Sequence, residues 1–192
     1  MLYPRALRLN KSGFTLVEVL VIAFILCIIF AAIFTTLTIG ESSNAITSAK
    51  VDLQAKVRTI MDTIVKDVRQ TNINEININS PSANHIKFKK VVGINNTTGS
   101  YELADSYIEY SYDSASSSLS RNELNSGGSV LKTVTFDNIS QSPFYSTSGI
   151  PLAPGGIVSS KKLYIIIAAT SQVRGNLTLS FSLREQVKIR NE

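Results

Sequence analysis

Residues 14–39 read FTLVEVLVIAFILCIIFAAIFTTLTI and carry one charged side chain, Glu18. About 20 consecutive apolar residues suffice for a helix to cross a bilayer, so length and composition make this stretch a membrane-spanning helix. Arg5, Arg8 and Lys11 precede it, and the next cation after it is Lys50. Cations gather on the cytoplasmic side of a span, which places the N-terminus inside and the rest of the chain outside. An ordinary secretory signal has a shorter apolar region that ends at a small-residue cleavage site. No convincing site of that kind follows Ala32. A plain signal anchor fits the length and the orientation but leaves Glu18 without a reason, because a carboxylate within hydrocarbon is costly.

The residues around that acid supply one. Lys11-Ser12-Gly13-Phe14-Thr15-Leu16-Val17-Glu18, followed by an unbroken apolar run, resembles the class III leader of type IV prepilins and pseudopilins. The resemblance implies that a prepilin peptidase cuts on the cytoplasmic side, between Gly13 and Phe14. It implies that the new amine of Phe14 is methylated and that Glu18 serves assembly. Elementary physics agrees with these roles. Glycine lets the backbone lie extended in a protease cleft. The α-amine, with a reference pKa of about 8, is largely cationic at neutral pH. Glu18 lies four helical rises from it, roughly 6 Å, an awkward span for a bond within one helix. The amine of a neighbouring subunit is the better partner, since opposite charges in low dielectric attract strongly and either alone is costly.

The organisation expected from this resemblance is a cleaved leader over 1–13, a transmembrane and assembly half-helix over 14–39, an amphipathic half-helix over 40–70 and an exterior β-rich body over 71–192. The implied function is that of a structural, minor subunit of a type IV pilus or of a type II secretion or competence pseudopilus. Its implied partners are the prepilin peptidase, other pilin or pseudopilin subunits, an assembly platform in the cytoplasmic (inner) membrane, and membrane lipid before assembly. The location follows: a single pass through that membrane, then an envelope or cell-surface filament. The alternative from another class is a bitopic membrane protein whose exterior domain binds a ligand or an adhesion target.

The body is read from periodicity. Ile46, Ala49, Leu53, Val57, Ile60, Ile64 and Val68 recur at steps of three and four, the spacing of one buried helical face. Asp52–Lys56 and Asp62–Lys66 are i,i+4 pairs on the other side. One helix from Phe14 to Gln70 would be roughly 85 Å long, with Thr35, Thr36, Thr38 and Gly40 as its weakest part. Beyond Thr71 the period becomes two. Residues 86–89, 107–112, 130–136, 163–169 and 177–189 read as strands, and 93–106, 113–129 and 137–160 as loops. The fold class is α+β, with the long N-terminal helix packed through its amphipathic half on a mainly antiparallel, pilin-like sheet.

The body also resembles the J-type minor pseudopilin and W-type minor pilin group. The fragments that carry this are Val57-Arg58, Ile64-Val65-Lys66-Asp67-Val68-Arg69-Gln70, Ile108-Glu109-Tyr110, Leu119-Ser120-Arg121 and Val187-Lys188-Ile189-Arg190-Asn191. The pseudopilin type at the very tip usually lacks the acid that Glu18 supplies, so a position below the tip, or along the shaft, is implied.

Composition excludes several classes. Of 19 Lys and Arg, three sit in the leader, and the remaining 16 face 14 Asp and Glu. The net charge of +5 is therefore largely a leader property and names no nucleic-acid partner. A single cysteine, Cys27, rules out a disulfide-stapled fold. One histidine, His85, at the head of a strand, gives no basis for a His/Cys metal cluster or a catalytic triad. No phosphate loop or dinucleotide fingerprint is present. The expectation is no enzyme, no cofactor and no metal. Glu102, Asp105, Glu109 and Asp113 alternate along a strand without an EF-hand pattern. Lys87, Lys89 and Lys90, with Lys161 and Lys162, are candidates for DNA contact, but lysines of this kind more often keep a sheet edge soluble.

Overall fold

The computed structural model describes residues 13, 15–147, 150–153, 162–173 and 176–189. The element order is α1 (Leu16–Arg69), α2 (Ile73–Ile78), β1 (His85–Ile94), β2 (Tyr101–Asp113), β3 (Ser118–Leu124), β4 (Val130–Asp137), β5 (Phe144–Thr147), β6 (Ile150–Pro151), β7 (Lys162–Val173) and β8 (Leu177–Lys188). The chain divides into two compact units, 1–45 and 46–192.

In the first unit α1 is apolar on all sides, and its large side chains from Leu16 to Ile39 are exposed. An 18-residue window of this helix has a mean hydropathy of 3.1, enough to cross a membrane. The threonines of its expected weakest part close bonds onto its own backbone. Thr35, Thr36 and Thr38 donate their hydroxyls to the carbonyls of Ala31, Ala32 and Phe34 at 2.8–2.9 Å, and the helix continues through Gly40. A hydroxyl satisfied this way presents no unpaired donor to lipid.

In the second unit the expected face of α1 is the buried one. Leu53, Val57, Ile60, Ile64 and Val68 are buried, and Ile46 and Ala49 are half-buried. The stripe is wider than expected and also takes in Met61, Val65 and one acid, Asp67. Asp52–Lys56 and Asp62–Lys66 are not among the ion pairs of the described residues.

The antiparallel sheet expected from the pattern is present as two sheets of four strands, ordered β1-β2-β3-β4 and β6-β5-β7-β8. They are stitched by the chain between β4 and β5. Thr170 N–H donates to Asn138 O, Ser140 N–H to Ala168 O, and Phe144 N–H to Ala83 O. The core lies between α1 and the inner faces, built on Ile86, Phe88 and Tyr110 from the first sheet and Phe144, Ile165 and Val187 from the second. Tyr110 meets Phe144 edge-on, with ring centroids 6.4 Å apart.

Three expected loops hold more structure than their composition indicates. β2 begins at Tyr101, inside the expected loop 93–106; β3 lies wholly inside 113–129; β5 and β6 lie inside 137–160. β3 escaped the period-two reading because Arg121 takes an inward position between Leu119 and Glu123. Pro154, Gly155, Gly156 and Lys161 fall outside the described residues, while Pro151 sits on the two-residue edge strand β6, where a missing N–H is tolerated.

Arg121 is inward because Asp67 waits there. The Asp67 carboxylate, 4% exposed, accepts from Arg121 Nε at 2.7 Å and Tyr110 Oη at 2.8 Å on Oδ2. It meets Lys90 Nζ at 2.7 Å on Oδ1. The three donors come from β3, β2 and β1. Lys90 continues the inward alternation of Ile86 and Phe88, beside a slip in register between Lys89 and Val91 whose extra residues lie on β2, between Leu103 and Tyr107.

Candidate functional site

The residues expected to serve processing and assembly lie at and just before the head of α1. Gly13 is exposed, and a Cβ built there meets nothing within 4 Å. Phe14, expected both as the cleavage partner and as the methylated residue, lies outside the described residues, as does all of 1–12. Thr15 precedes the first helical residue and acts as its N-cap. Its Oγ1 accepts from Glu18 N–H at 3.3 Å. In return Glu18 Oε2 accepts from Thr15 N–H at 2.9 Å and from Thr15 Oγ1 at 3.0 Å. This is a capping box, a Thr and a Glu three residues apart that satisfy each other's backbone donors. Every one of these bonds to the carboxylate falls on Oε2. Oε1 accepts none among the described residues, and Glu18 is exposed.

The capping box was readable as Thr15-x-x-Glu18 ahead of an apolar run and was missed, because the acid had already been given a use between subunits. The capping bonds fall on one oxygen and so do not preclude a use between subunits. A negative charge in a first helical turn also sits favourably against the helix dipole.

Elsewhere the candidate groups are taken up within the fold. His85 Nε2 lies 3.0 Å from Glu109 Oε1, and Asn122 donates to Glu109 Oε2 at 3.2 Å. Burial pushes the Glu109 carboxyl up, and the bonds from His85 and Asn122 with the charges of His85 and Lys87 outweigh it. The carboxyl thus ends below its ordinary value. Asp113 is held low by its bonds from Ser116 and from the N–H of Ala115, in the turn after β2. Glu102, Asp105, Glu109 and Asp113 do not converge, and no group of three metal-ligating side chains comes together among the described residues. The lysine cluster also divides. Lys87 and Lys89 lie over the ring of Tyr107, at 4.6 and 4.9 Å from its centroid, and Lys90 turns inward to Asp67.

The head of α1 is also where known proteins are matched. Residues 8–34 match the prokaryotic N-terminal methylation motif. No curated protein and no solved structure matches this chain. The motif supports a type IV pilin-like or pseudopilin chain and points to a structural protein rather than an enzyme. Together with the long apolar helix it supports anchoring in a membrane.

Proposed function

We propose that this chain is a structural, minor subunit of a type IV pilus or of a type II secretion or competence pseudopilus. Its leader, 1–13, is removed after Gly13 by a prepilin peptidase, and Phe14 is then methylated. The segment 14–39 holds the precursor in the cytoplasmic membrane with its N-terminus inside, and later packs among other subunits. The segment 40–70 carries the exterior body, 71–192. Assembly proceeds at the membrane platform, where Glu18 receives the Phe14 amine of a neighbour. The J- or W-type group describes the body best, with a place below the tip or along the shaft.

One observation carries this reading: a lone acid in the apolar run 14–39, four residues after Phe14 and at fixed spacing from Gly13 within the matched methylation motif. The open Oε1 of Glu18 supports it, since an incoming ammonium needs an acceptor that the capping box has not consumed.

The bitopic membrane protein has one observation in its favour. The Thr15–Glu18 capping box gives the acid a use inside its own chain. A plain anchor, however, has no need of Gly13-Phe14. Co-expression with a prepilin peptidase separates the two readings. The expected product has lost 1–13, begins at Phe14 and carries one added methyl group by intact mass. A chain that still begins at Met1 under those conditions favours the plain anchor.

A further inference from the structure

We propose that Asp67 is a latch that fastens the last turns of α1 to the first sheet, closed at neutral pH and opened by acid. The apolar face of this half-helix gives attraction without direction: Val57, Ile60, Ile64 and Val68 are aliphatic and would accept several placements on a sheet. Asp67 admits one. Its carboxylate must meet Lys90 of β1, Tyr110 of β2 and Arg121 of β3 at 2.7–2.8 Å, and three adjacent strands supply those groups in fixed order. Buried ionic groups are a known means of selecting one arrangement among apolar alternatives. The backbone bond from Val91 N–H to Gln70 O and the bond from Thr71 Oγ1 to Lys89 O tie the end of the helix to β1 alone, whereas Asp67 joins it to all three strands.

The sign of the pH effect follows from the same contacts. Burial raises the Asp67 carboxyl. The hydrogen bonds from Arg121, Lys90 and Tyr110, with the charge of Arg121, more than offset that, so it titrates below the ordinary aspartate range. The complementary effects appear on its partners: burial and the Asp67 charge raise the Tyr110 phenol, and Asp67 raises the Arg121 guanidinium against the opposite pull of burial. A carboxyl whose folded pKa is depressed contributes above its unfolded pKa and loses that contribution as pH falls through the folded one. Protonation also removes the countercharge from Arg121 and Lys90, leaving two cations facing each other across a neutral acid.

The test uses the full chain in detergent micelles, with Cys27→Ser as background and one reporter thiol at a time. Val68→Cys reports beside the latch. Leu53→Cys reports about 20 Å earlier on the same helix, where it lines a cleft with Asn138, Thr170 and Ser171. A pyridyl disulfide reads thiol access, because it still reacts in acid. Asp67→Asn is expected to raise the rate at position 68 on the order of tenfold at pH 7 and to leave position 53 unchanged, as for a local opening. Lowering the pH is expected to raise the parent's rate at 68 to that of the variant, with the variant itself flat. Asp67→Glu, which keeps a carboxylate, is expected to restore part of the protection and of the pH profile. Equal rises at 53 and 68 would mean that Asp67 only supports global stability, and no rise at 68 would mean that it fastens nothing. Either result overturns the latch. Where a reporter cysteine itself prevents folding, hydrogen exchange on the unlabelled chain decides. Faster exchange in β1–β3 than in β7–β8 on Asp67→Asn supports the latch, and a uniform change overturns it.

Discussion

Glu18 and Asp67 stand near the two ends of α1, and they are satisfied in opposite ways. Glu18 bonds to Thr15, three residues away, and is exposed. Asp67 bonds to Tyr110 and Arg121, 43 and 54 residues away, and is buried. The apolar side chains around each acid repeat the contrast. Ile22, Ile25 and Ile29 are about half exposed, while Ile60 and Ile64 are almost wholly covered. The second region closes its account inside the fold. The first leaves a continuous apolar surface far larger than a water-soluble monomer exposes, and nothing among the described residues covers it. On the proposed function, lipid would cover it before assembly and the helices of other subunits after it. An acid in that surface is informative because, on the proposed function, it takes a second partner outside the chain beside Thr15.

The contrast breaks most visibly at the two acids. Asp67→Ala leaves Arg121 and Lys90 without their countercharge in a largely covered site, and breaking such a network costs roughly 3–5 kcal/mol. The solvent reached by Lys90 places the expectation at the lower end of that range. Denaturant unfolding of the full chain in micelles, followed by tyrosine emission because the chain has no tryptophan, should show the loss as an earlier midpoint. Glu18→Ala should leave that midpoint in place and allow membrane insertion, yet lower incorporation into filaments. An unfolding shift with Glu18→Ala, or normal incorporation, would erase the distinction between an internal and an external partner.

The same helix permits a smaller test with identical side chains. Ile64→Ala opens a cavity in the core and should cost about 2–4 kcal/mol. Ile25→Ala removes the same atoms from a position with no core around it, and the midpoint should not move. Comparable losses at both positions would mean that the first region has a packed partner of its own.

How much of this was legible in the sequence follows the physics of each period. The apolar run and the i, i+3, i+4 face were readable because burial there depends on hydrophobicity alone. The Asp67 network was not, although its signals were present. The alternation that sends Ile86 and Phe88 inward sends Lys90 inward too, and the alternation that buries Leu119 brings Arg121 to the same side. A charged residue at an inward position calls for an opposite charge, and Asp67 was the acid on the buried helical face. Read separately, Lys90 joined a basic surface patch and Arg121 left its strand looking like a loop. Three of the fragments compared with the J- and W-type group contain Asp67, Tyr110 and Arg121, which meet on this one carboxylate. At the head of α1 the acid and its spacing were legible, but its capping bonds were overlooked. A role between subunits involves atoms that a single chain does not contain.

The smallest expected effect sharpens the contrast from within the second region. Arg69 lies two residues beyond Asp67 and pairs with Glu185 of β8 at 3.2 Å, but its side chain is 61% exposed. Water screens such a pair, and holding two long side chains together costs entropy, so exposed pairs contribute about 0–1 kcal/mol. Arg69→Ala should therefore shift the unfolding midpoint slightly, and the shift should fade as salt shortens the screening length. The loss in Asp67→Ala should survive the same salt, because ions cannot enter a covered site. If Arg69→Ala and Asp67→Ala responded alike to salt, Asp67 would be as open to solvent as its neighbour. Neither a fastening role for it nor the contrast with Glu18 would then stand.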